Sequence, residues 1–211
     1  MKYPRTMHVP WSPGVTSDDK VHKDISFFEG KKIVITEKLD GECTSMFHDR
    51  VHARSETSAS HESQSLVRQM HAMHRLGIPK NLQIVGENVY AEHSVRYDRL
   101  TDYFYVFAIF DLERQVVLSV ADMDHVCAVL GFQTVPKWYL CEYPGDEWMQ
   151  KMLPATKSAF GPECEGYVIR VVDEFPISEF ALNTAKWVRK GHVTSPDDWR
   201  KNWKKNERVR R

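Results

Sequence analysis

The sequence lacks the features of zinc-binding, secreted and membrane proteins. Its four cysteines (Cys43, Cys127, Cys141 and Cys164) form no C-x-x-C pair, which argues against a zinc ribbon or a dithiol redox motif and favours free thiols. No apolar run approaches the ~18 residues of a membrane span, and the N-terminus has no apolar signal-peptide core. We therefore expect a cytoplasmic protein without membrane contact.

The formal net charge is zero, because 29 basic side chains balance 29 acidic ones. A global electrostatic attraction to nucleic acid is thereby excluded. The charge is uneven, however, and the segment from Arg200 to Arg211 is basic and contains Trp203. Such a tail can bind phosphates nonspecifically, or it can be a solvated, frayed terminus. The sequence leaves both interpretations open.

Repeats, low-complexity linkers and a regular β-α-β alternation are also missing. The length suits one domain, and we expect a monomer with a loop-rich segment at 1–30, a catalytic core at 31–190 and a basic tail at 191–211. Alternating and β-branched patterns predict strands, at 33–35, 42–47, 51–53, 83–90, 103–112, 135–141, 166–172 and 185–189.

Helices are predicted at 61–76, 120–130 and 146–153. In the first helix, Leu66, Val67, Met70, Met73 and Leu76 form one apolar stripe, and Ser60 is the expected N-cap. For the second helix, Ser119 is the expected N-cap and Gly131 the expected end. Short strands with flanking helices indicate an α+β fold whose sheet is mostly antiparallel.

The first chemical signal is the segment Glu37-Lys38-Leu39-Asp40-Gly41-Glu42. Lys38 ends an apolar strand, and Gly41 permits a tight turn close to a ligand. A lysine amine is a nucleophile only when deprotonated, which desolvation or neighbouring cations favour by lowering its pKa. A four-residue K-x-D-G pattern is weak evidence by itself, because an exposed hairpin turn also explains it.

Five further segments follow in an order that resembles the motifs of the covalent nucleotidyltransferases, which include ATP-dependent ligases and capping enzymes. These segments are Arg54-Ser55, Gly86-Glu87-Asn88, the strand from Tyr105 to Phe110, Glu165-Gly166-Tyr167-Val168-Ile169-Arg170, and Lys186-Trp187-Val188-Arg189-Lys190. The match extends over residues 33–190. The set is far more specific than any one segment.

The resemblance implies a role for each matched residue. Lys38 would be the nucleophile, with Glu37 beside the nucleotide and Asp40 in the catalytic motif. Arg54 would contact the ribose or the leaving phosphates, and Glu87 would face the ribose. Phe107, or alternatively Phe110, would stack on the purine. Glu165, and also Glu87, would hold Mg²⁺ or Mn²⁺, and Lys186 with Arg189 or Lys190 would hold the triphosphate.

The third and fourth motifs look most like those of phage and bacterial RNA ligases. The opening segments His8-Val9-Pro10-Trp11-Ser12-Pro13-Gly14 and Thr16-Ser17-Asp18-Asp19-Lys20 also resemble small phage-type RNA ligases. The resemblance implies an antiparallel nucleotidyltransferase domain. It would use ATP and a divalent metal to join RNA ends in RNA repair, with a nicked duplex or an RNA/DNA hybrid as a further possible substrate.

Three departures from the family pattern leave alternatives open. The fifth motif is K-x-x-R instead of K-x-K, Ala108 stands where many relatives carry an acid, and the chain ends soon after the fifth motif. We therefore expect a minimal catalytic domain. A DNA ligase, a capping guanylyltransferase and a non-catalytic nucleic-acid-binding module remain alternatives.

Overall fold

Two β-sheets organise the computed structural model, which describes residues 1–54, 61–191 and 203–209. The smaller sheet has the strand order β11 (Thr184–Val188), β9 (Gly166–Val171), β1 (Lys32–Lys38) and β8 (Lys137–Glu142). The larger has the order β10 (Phe175–Pro176), β6 (Val116–Val117), β5 (Phe104–Asp111), β4 (Leu82–Asn88), β2 (Glu42–Met46) and β3 (Val51–Ala53). A seventh strand, β7 (Gln133–Thr134), pairs in parallel with β5.

All other pairings within these sheets are antiparallel. The predicted α+β class and its mostly antiparallel sheet are therefore confirmed. Every predicted strand is present; β3 has its predicted ends, and each of the others is shifted at one end or at both. The two-residue strands β6, β7 and β10 were not predicted, because two residues are too short to show a periodicity.

In the described part of the chain, three α-helices cover the sheets: α1 (Ser65–His74), α2 (Val120–Leu130) and α3 (Asp146–Met152). Val67 of α1 and Met123 of α2 pack in one cluster with Ile84 and Val106 of the larger sheet. Met149 of α3 belongs to the cluster that contains the inner residues of the smaller sheet. Within the described ranges, no helix is both long enough and apolar enough to cross a membrane.

The predicted helix ends are partly confirmed. The Ser119 hydroxyl accepts from the Asp122 amide at 3.1 Å, and Gly131 ends α2 in the left-handed conformation at a φ of 75°. Ser60 lies outside the described residues. Met73 of α1 and Leu76 of the 3₁₀ turn that follows it (Arg75–Gly77) are exposed, so the predicted apolar stripe is not buried in its last turn.

The two terminal segments are both tied to the sheets. Residues 1–30 are loops with one short 3₁₀ turn at Ser26–Phe28, as predicted. The Val9 amide donates to the carbonyl oxygen of Lys186 in the edge strand β11, and the Lys186 amide donates to the carbonyl oxygen of Met7. Residues 203–209 bridge to Ala91 and Leu100. The frayed-terminus interpretation is therefore wrong for 203–209, while phosphate binding by the tail stays a prediction.

Candidate active site

A cavity of about 520 Å³ lies between residues of both sheets. Successive side chains of a strand point to opposite faces, so Val34, Thr36 and Lys38 of β1 share one face and line this cavity. Glu87 and Phe107 of the larger sheet line it as well. The volume is typical of a site for a small-molecule ligand.

Lys38 and Glu165 meet in this cavity although 127 positions separate them in the chain. The β1–β9 pairing places Lys38 opposite Gly166, so Glu165 enters the site just before β9 begins. The Lys38 amine donates to Glu165 Oε2 at 2.5 Å. The Glu165 side chain is only 4% exposed, so this ion pair is largely removed from water.

Glu87 provides a second carboxylate, which is half-buried and lines the cavity. Its Oε1 accepts from the Gly41 backbone amide at 3.1 Å. A Cβ at position 41 would collide with the carbonyl oxygen of Asn88, so only glycine lets this turn approach β4 so closely. The sequence predicted a close approach to ligand here, and the structure shows a close approach to the neighbouring strand.

The charges around Lys38 determine its protonation. Burial lowers the pKa of the amine, but the carboxylates of Glu165, Glu87 and Asp40 raise it by more, and the net pKa lies above the usual lysine value. Burial raises the pKa of the Glu87 and Glu165 carboxyls. The expectation that the surroundings lower the Lys38 pKa was wrong for the protein alone, because the neighbours are anions.

Asp40 is fixed by the loop that connects β4 and β5. Its Oδ2 accepts from the Ser94 amide at 2.7 Å, the Ser94 hydroxyl at 2.6 Å and the Val95 amide at 2.8 Å. The Asp40 amide donates to the Tyr97 hydroxyl at 2.8 Å. Asp40 therefore fastens the turn that follows Lys38, and these contacts give it a positioning function.

Lys186 reaches the cavity from β11. Its amine lies 3.4 Å from Asp19 Oδ1, and the same oxygen lies 3.3 Å from His8 Nε2. Burial, with the nearby Lys38, lowers the pKa of the Lys186 amine. Asp19 and His8 thus connect the N-terminal segment to a predicted phosphate-binding cation.

Phe107 and Phe110 have different environments. Phe107 is half-buried and lines the cavity, whereas Phe110 is fully buried in the core. The ring of Tyr3 meets Phe107 edge-on, with 5.2 Å between centroids. Of the two predicted stacking residues, only Phe107 is accessible to a ligand.

Arg54 and Glu37 are placed differently. Arg54 directly follows β3, is exposed and lines the cavity; its neighbour Ser55 lies outside the described residues. The Glu37 carboxylate accepts from the Ser158 hydroxyl at 2.5 Å and the Ala159 amide at 2.9 Å. The Glu37 carboxylate thus holds the 158–159 loop, while Glu37 also lines the main cavity, and its contact with the nucleotide stays a prediction.

Arg189 lies outside the main cavity. Its guanidinium pairs with Glu163 at 2.9 Å and lines a smaller cavity with Trp187 and Tyr167. Lys186 lies within β11, whereas Arg189 directly follows it. Lys186 lines the main cavity, and Arg189 and Lys190 are not among its lining residues; triphosphate binding by Lys186 with Arg189 or Lys190 stays a prediction.

The predicted metal ligands are Glu165 and Glu87. No group of three or more His, Cys, Asp or Glu side chains within the described ranges could hold a metal ion. Two carboxylates without a complete protein cage suit Mg²⁺ or Mn²⁺, which commonly take their remaining ligands from water and substrate phosphates. The carboxylates of Glu165 and Glu87 therefore fit such an ion when it is bound together with a nucleotide.

Several cavity residues were given no role from the sequence. Tyr3 and Arg5 lie outside the segments quoted above, while Asp19 and Arg170 lie within segments that the resemblance matched. Burial lowers the pKa of the Arg170 guanidinium to about 10. The opening segments drew attention only through a family resemblance, which assigned these residues no role.

Known proteins match both the sequence and the fold. Several structures of Naegleria gruberi RNA ligase match with probability 1.00. A lysine-to-alanine variant with ATP and Mn has a TM-score of 0.60 at 20% identity, covering 78% of this chain and 52% of that one. The protein with PPi has the same score and identity, with 78% and 51% covered.

A second lysine-to-alanine variant with ATP and Mn has a TM-score of 0.59 at 17% identity, covering 89% of this chain and 60% of that one. The chain thus spans about half the length of the solved ligase chains, and at these identities the likeness shows the fold. No curated protein matches the sequence significantly. The sequence model described as RNA ligase matches residues 31–188, well over half of the chain, which therefore belongs to the RNA ligase family.

Proposed function

We propose that this chain is an ATP-dependent RNA ligase that forms a covalent lysyl-adenylate on Lys38. The observation that carries the proposal is the Lys38 amine, held 2.5 Å from Glu165 in a cavity that Glu87 and Lys186 also line. Membership of the RNA ligase family and the ATP, AMP and Mn of the solved relatives support it.

The proposed reaction has three steps. The Lys38 amine, having lost its proton, attacks the α-phosphorus of ATP, and the bond to the bridging oxygen breaks to release pyrophosphate. A terminal 5′-phosphate oxygen of RNA then attacks the adenylate phosphorus, the P–N bond breaks, and AMP passes to the RNA. Finally a 3′-hydroxyl attacks the activated 5′-phosphate, loses its proton, and releases AMP. Each step requires in-line placement and cations more than a proton relay.

The carboxylates beside Lys38 have a second function in this proposal. Glu165 and Glu87 would hold Mg²⁺ or Mn²⁺ with the nucleotide phosphates. The bound ion would supply positive charge to the reacting phosphates and compete with the ammonium for these carboxylates, which favours the neutral amine. In the protein alone, Glu165 orients the Lys38 amine by accepting its hydrogen bond.

The Lys186 amine is the cation best placed for the triphosphate. We expect Lys186→Met to slow adenylation about 30-fold, because charge developing on the pyrophosphate loses its stabilisation. Arg189→Met is the matched control, since this cation lies outside the cavity beside Glu163, and its rate should stay within about threefold of wild type. Equal losses in the two variants would contradict this assignment.

Phe107 is the expected stacking surface for adenine. We expect Phe107→Ala to raise the Kd for ATP about tenfold, since stacking on an aromatic side chain contributes ~1–3 kcal/mol per base. Equilibrium binding of a fluorescent ATP analogue measures this. Phe27→Ala is the control, because Phe27 is also half-buried but lies outside the cavity lining; a similar change there would remove the support for stacking.

The central test is incubation with ATP labelled at the α-phosphate, a divalent metal and the purified chain, followed by denaturing electrophoresis. Label on the protein supports the first step, and its transfer to 5′-phosphorylated RNA supports the second. Nicked duplexes that vary RNA and DNA strands separate an RNA ligase from a DNA ligase. Preference for labelled GTP indicates a capping enzyme, and RNA binding without labelling indicates a non-catalytic module.

A further inference from the structure

Residues 203–209, the C-terminal strap, are fastened to the loop that connects β4 and β5. Lys205 and Arg208 form backbone bridges with Ala91 and Leu100. Trp203 packs against Tyr90, with 5.5 Å between ring centroids. The described end of the chain is thus a structural part of the domain, joined to the loop that also holds Asp40.

Asn206 is the most deeply buried polar residue of this strap, with 1% of its surface exposed. Its side-chain amide donates to the carbonyl oxygens of Val89 at 2.9 Å and Ala91 at 3.2 Å. Its side-chain oxygen accepts from the Tyr97 amide at 2.8 Å. An asparagine side chain provides both donors and an acceptor at once, so one residue joins the start of the loop to its middle.

A short path of contacts leads from Asn206 to the nucleophile. Asn206 fixes the backbone of Tyr97, and the Tyr97 hydroxyl accepts from the Asp40 amide at 2.8 Å. The same loop donates three hydrogen bonds to the Asp40 carboxylate. Asp40 is two residues from Lys38, so the strap is connected to the turn that orients the reactive amine.

We propose that the C-terminal strap is a positioning element of the ligase site, with Asn206 and Tyr97 as its positioning residues. This inference rests on the proposed adenylation of Lys38. The strap does not touch the reacting atoms; it holds the loop that holds Asp40. Misplacement of a reacting group by about 1 Å can cost up to 100-fold in rate, so loosening this path should slow chemistry more than it weakens ATP binding.

The test is single-turnover adenylation with labelled ATP and Mn²⁺ in Asn206→Ala, Tyr97→Phe and the double variant. At saturating ATP, we expect each single variant to lower the rate constant about tenfold, while the fraction of molecules labelled at completion and the Kd for ATP change less than about threefold. The double variant should lose less than the product of the single losses, because both act along one path.

Tyr103→Phe is the matched control. The Tyr103 hydroxyl donates to the Asn206 backbone oxygen at 3.1 Å. Its removal leaves in place the side-chain hydrogen bonds of Asn206 and Tyr97 that lead to Asp40, so the rate should stay within about twofold of wild type. If Asn206→Ala does not fold, Tyr97→Phe alone tests the positioning role, since it removes one hydroxyl and keeps the ring.

The result that overturns the positioning role is an unchanged rate constant with a lower labelled fraction or Tm. This would make the strap a stabilising contact only. An unlabelled wild-type chain gives a different outcome, because it refutes the proposed adenylation itself. A slowed Tyr97→Phe variant with full labelling supports the proposal.

Discussion

Lys38→Arg is expected to abolish the covalent adenylate, with labelling from α-phosphate-labelled ATP reduced at least about 1000-fold. The guanidinium stays protonated at all working pH values and offers no free electron pair for attack on phosphorus. It keeps a positive charge facing the carboxylates that surround Lys38, so the buried acidic groups remain compensated. Denaturing electrophoresis after incubation with labelled ATP measures the loss directly.

The control for this change is Lys31→Arg. The Lys31 amine donates to Asn183 Oδ1 at 3.2 Å, outside the main cavity, and the same substitution there should leave labelling within about twofold of wild type. Thermal unfolding of both variants checks that the fold survives. Stable label on Lys38→Arg would mean that another side chain is the nucleophile, and the proposed chemistry would have to be abandoned.

The contacts of Lys38 show how much of the active site could be predicted from the sequence. The K-x-D-G segment by itself is compatible with an exposed turn, and only the ordered set of later motifs connects it to Glu87 and Glu165. The structure places these acids beside Lys38 through the pairing of β1 with β9 and of β2 with β4. Antiparallel pairs between distant strands cannot be derived from local periodicity; here family resemblance supplied the connection.

Strand geometry decides what two of the assigned residues contact in the protein. The family resemblance gave Glu37 and Arg189 roles beside matched lysines, whereas a strand alternates its faces. The Glu37 carboxylate holds the 158–159 loop, and Arg189 pairs with Glu163 beside a smaller cavity. Lys186 and Arg189 lie three positions apart in the strand predicted at 185–189, so the alternation rule already predicts opposite directions for their side chains.

The strap could not have been predicted. Asn206 stands in a basic, polar stretch whose composition is typical of a solvated terminus. Its burial depends on hydrogen bonds to the carbonyl oxygens of Val89 and Ala91, which lie more than 100 positions earlier in the chain. Buried polar groups need hydrogen-bond partners, but the sequence does not reveal where those partners are.

Glu165→Gln is expected to slow adenylation at least about 100-fold with little change in fold. The substitution keeps the side-chain volume and an oxygen that can accept from the Lys38 amine. It removes a negative charge from the wall of the cavity, and with it one of the two hard oxygen ligands proposed for the metal. Loss of one preorganised electrostatic group typically costs ~100–1000-fold in rate. Single-turnover labelling as a function of Mn²⁺ concentration measures this loss of adenylation rate.

Glu163→Gln provides the matched control, two residues away in the same loop. Its carboxylate is 61% exposed and pairs with Arg189 outside the main cavity, so removing its charge should change the rate less than about threefold. If Glu165 binds metal, a higher Mn²⁺ concentration should restore part of the lost rate in Glu165→Gln and have no such effect in Glu163→Gln. A Glu165→Gln variant that labels as fast as wild type would show that the buried ion pair with Lys38 has a structural role only. The proposal that Lys38 reacts while Glu165 orients it and holds the metal would then be wrong.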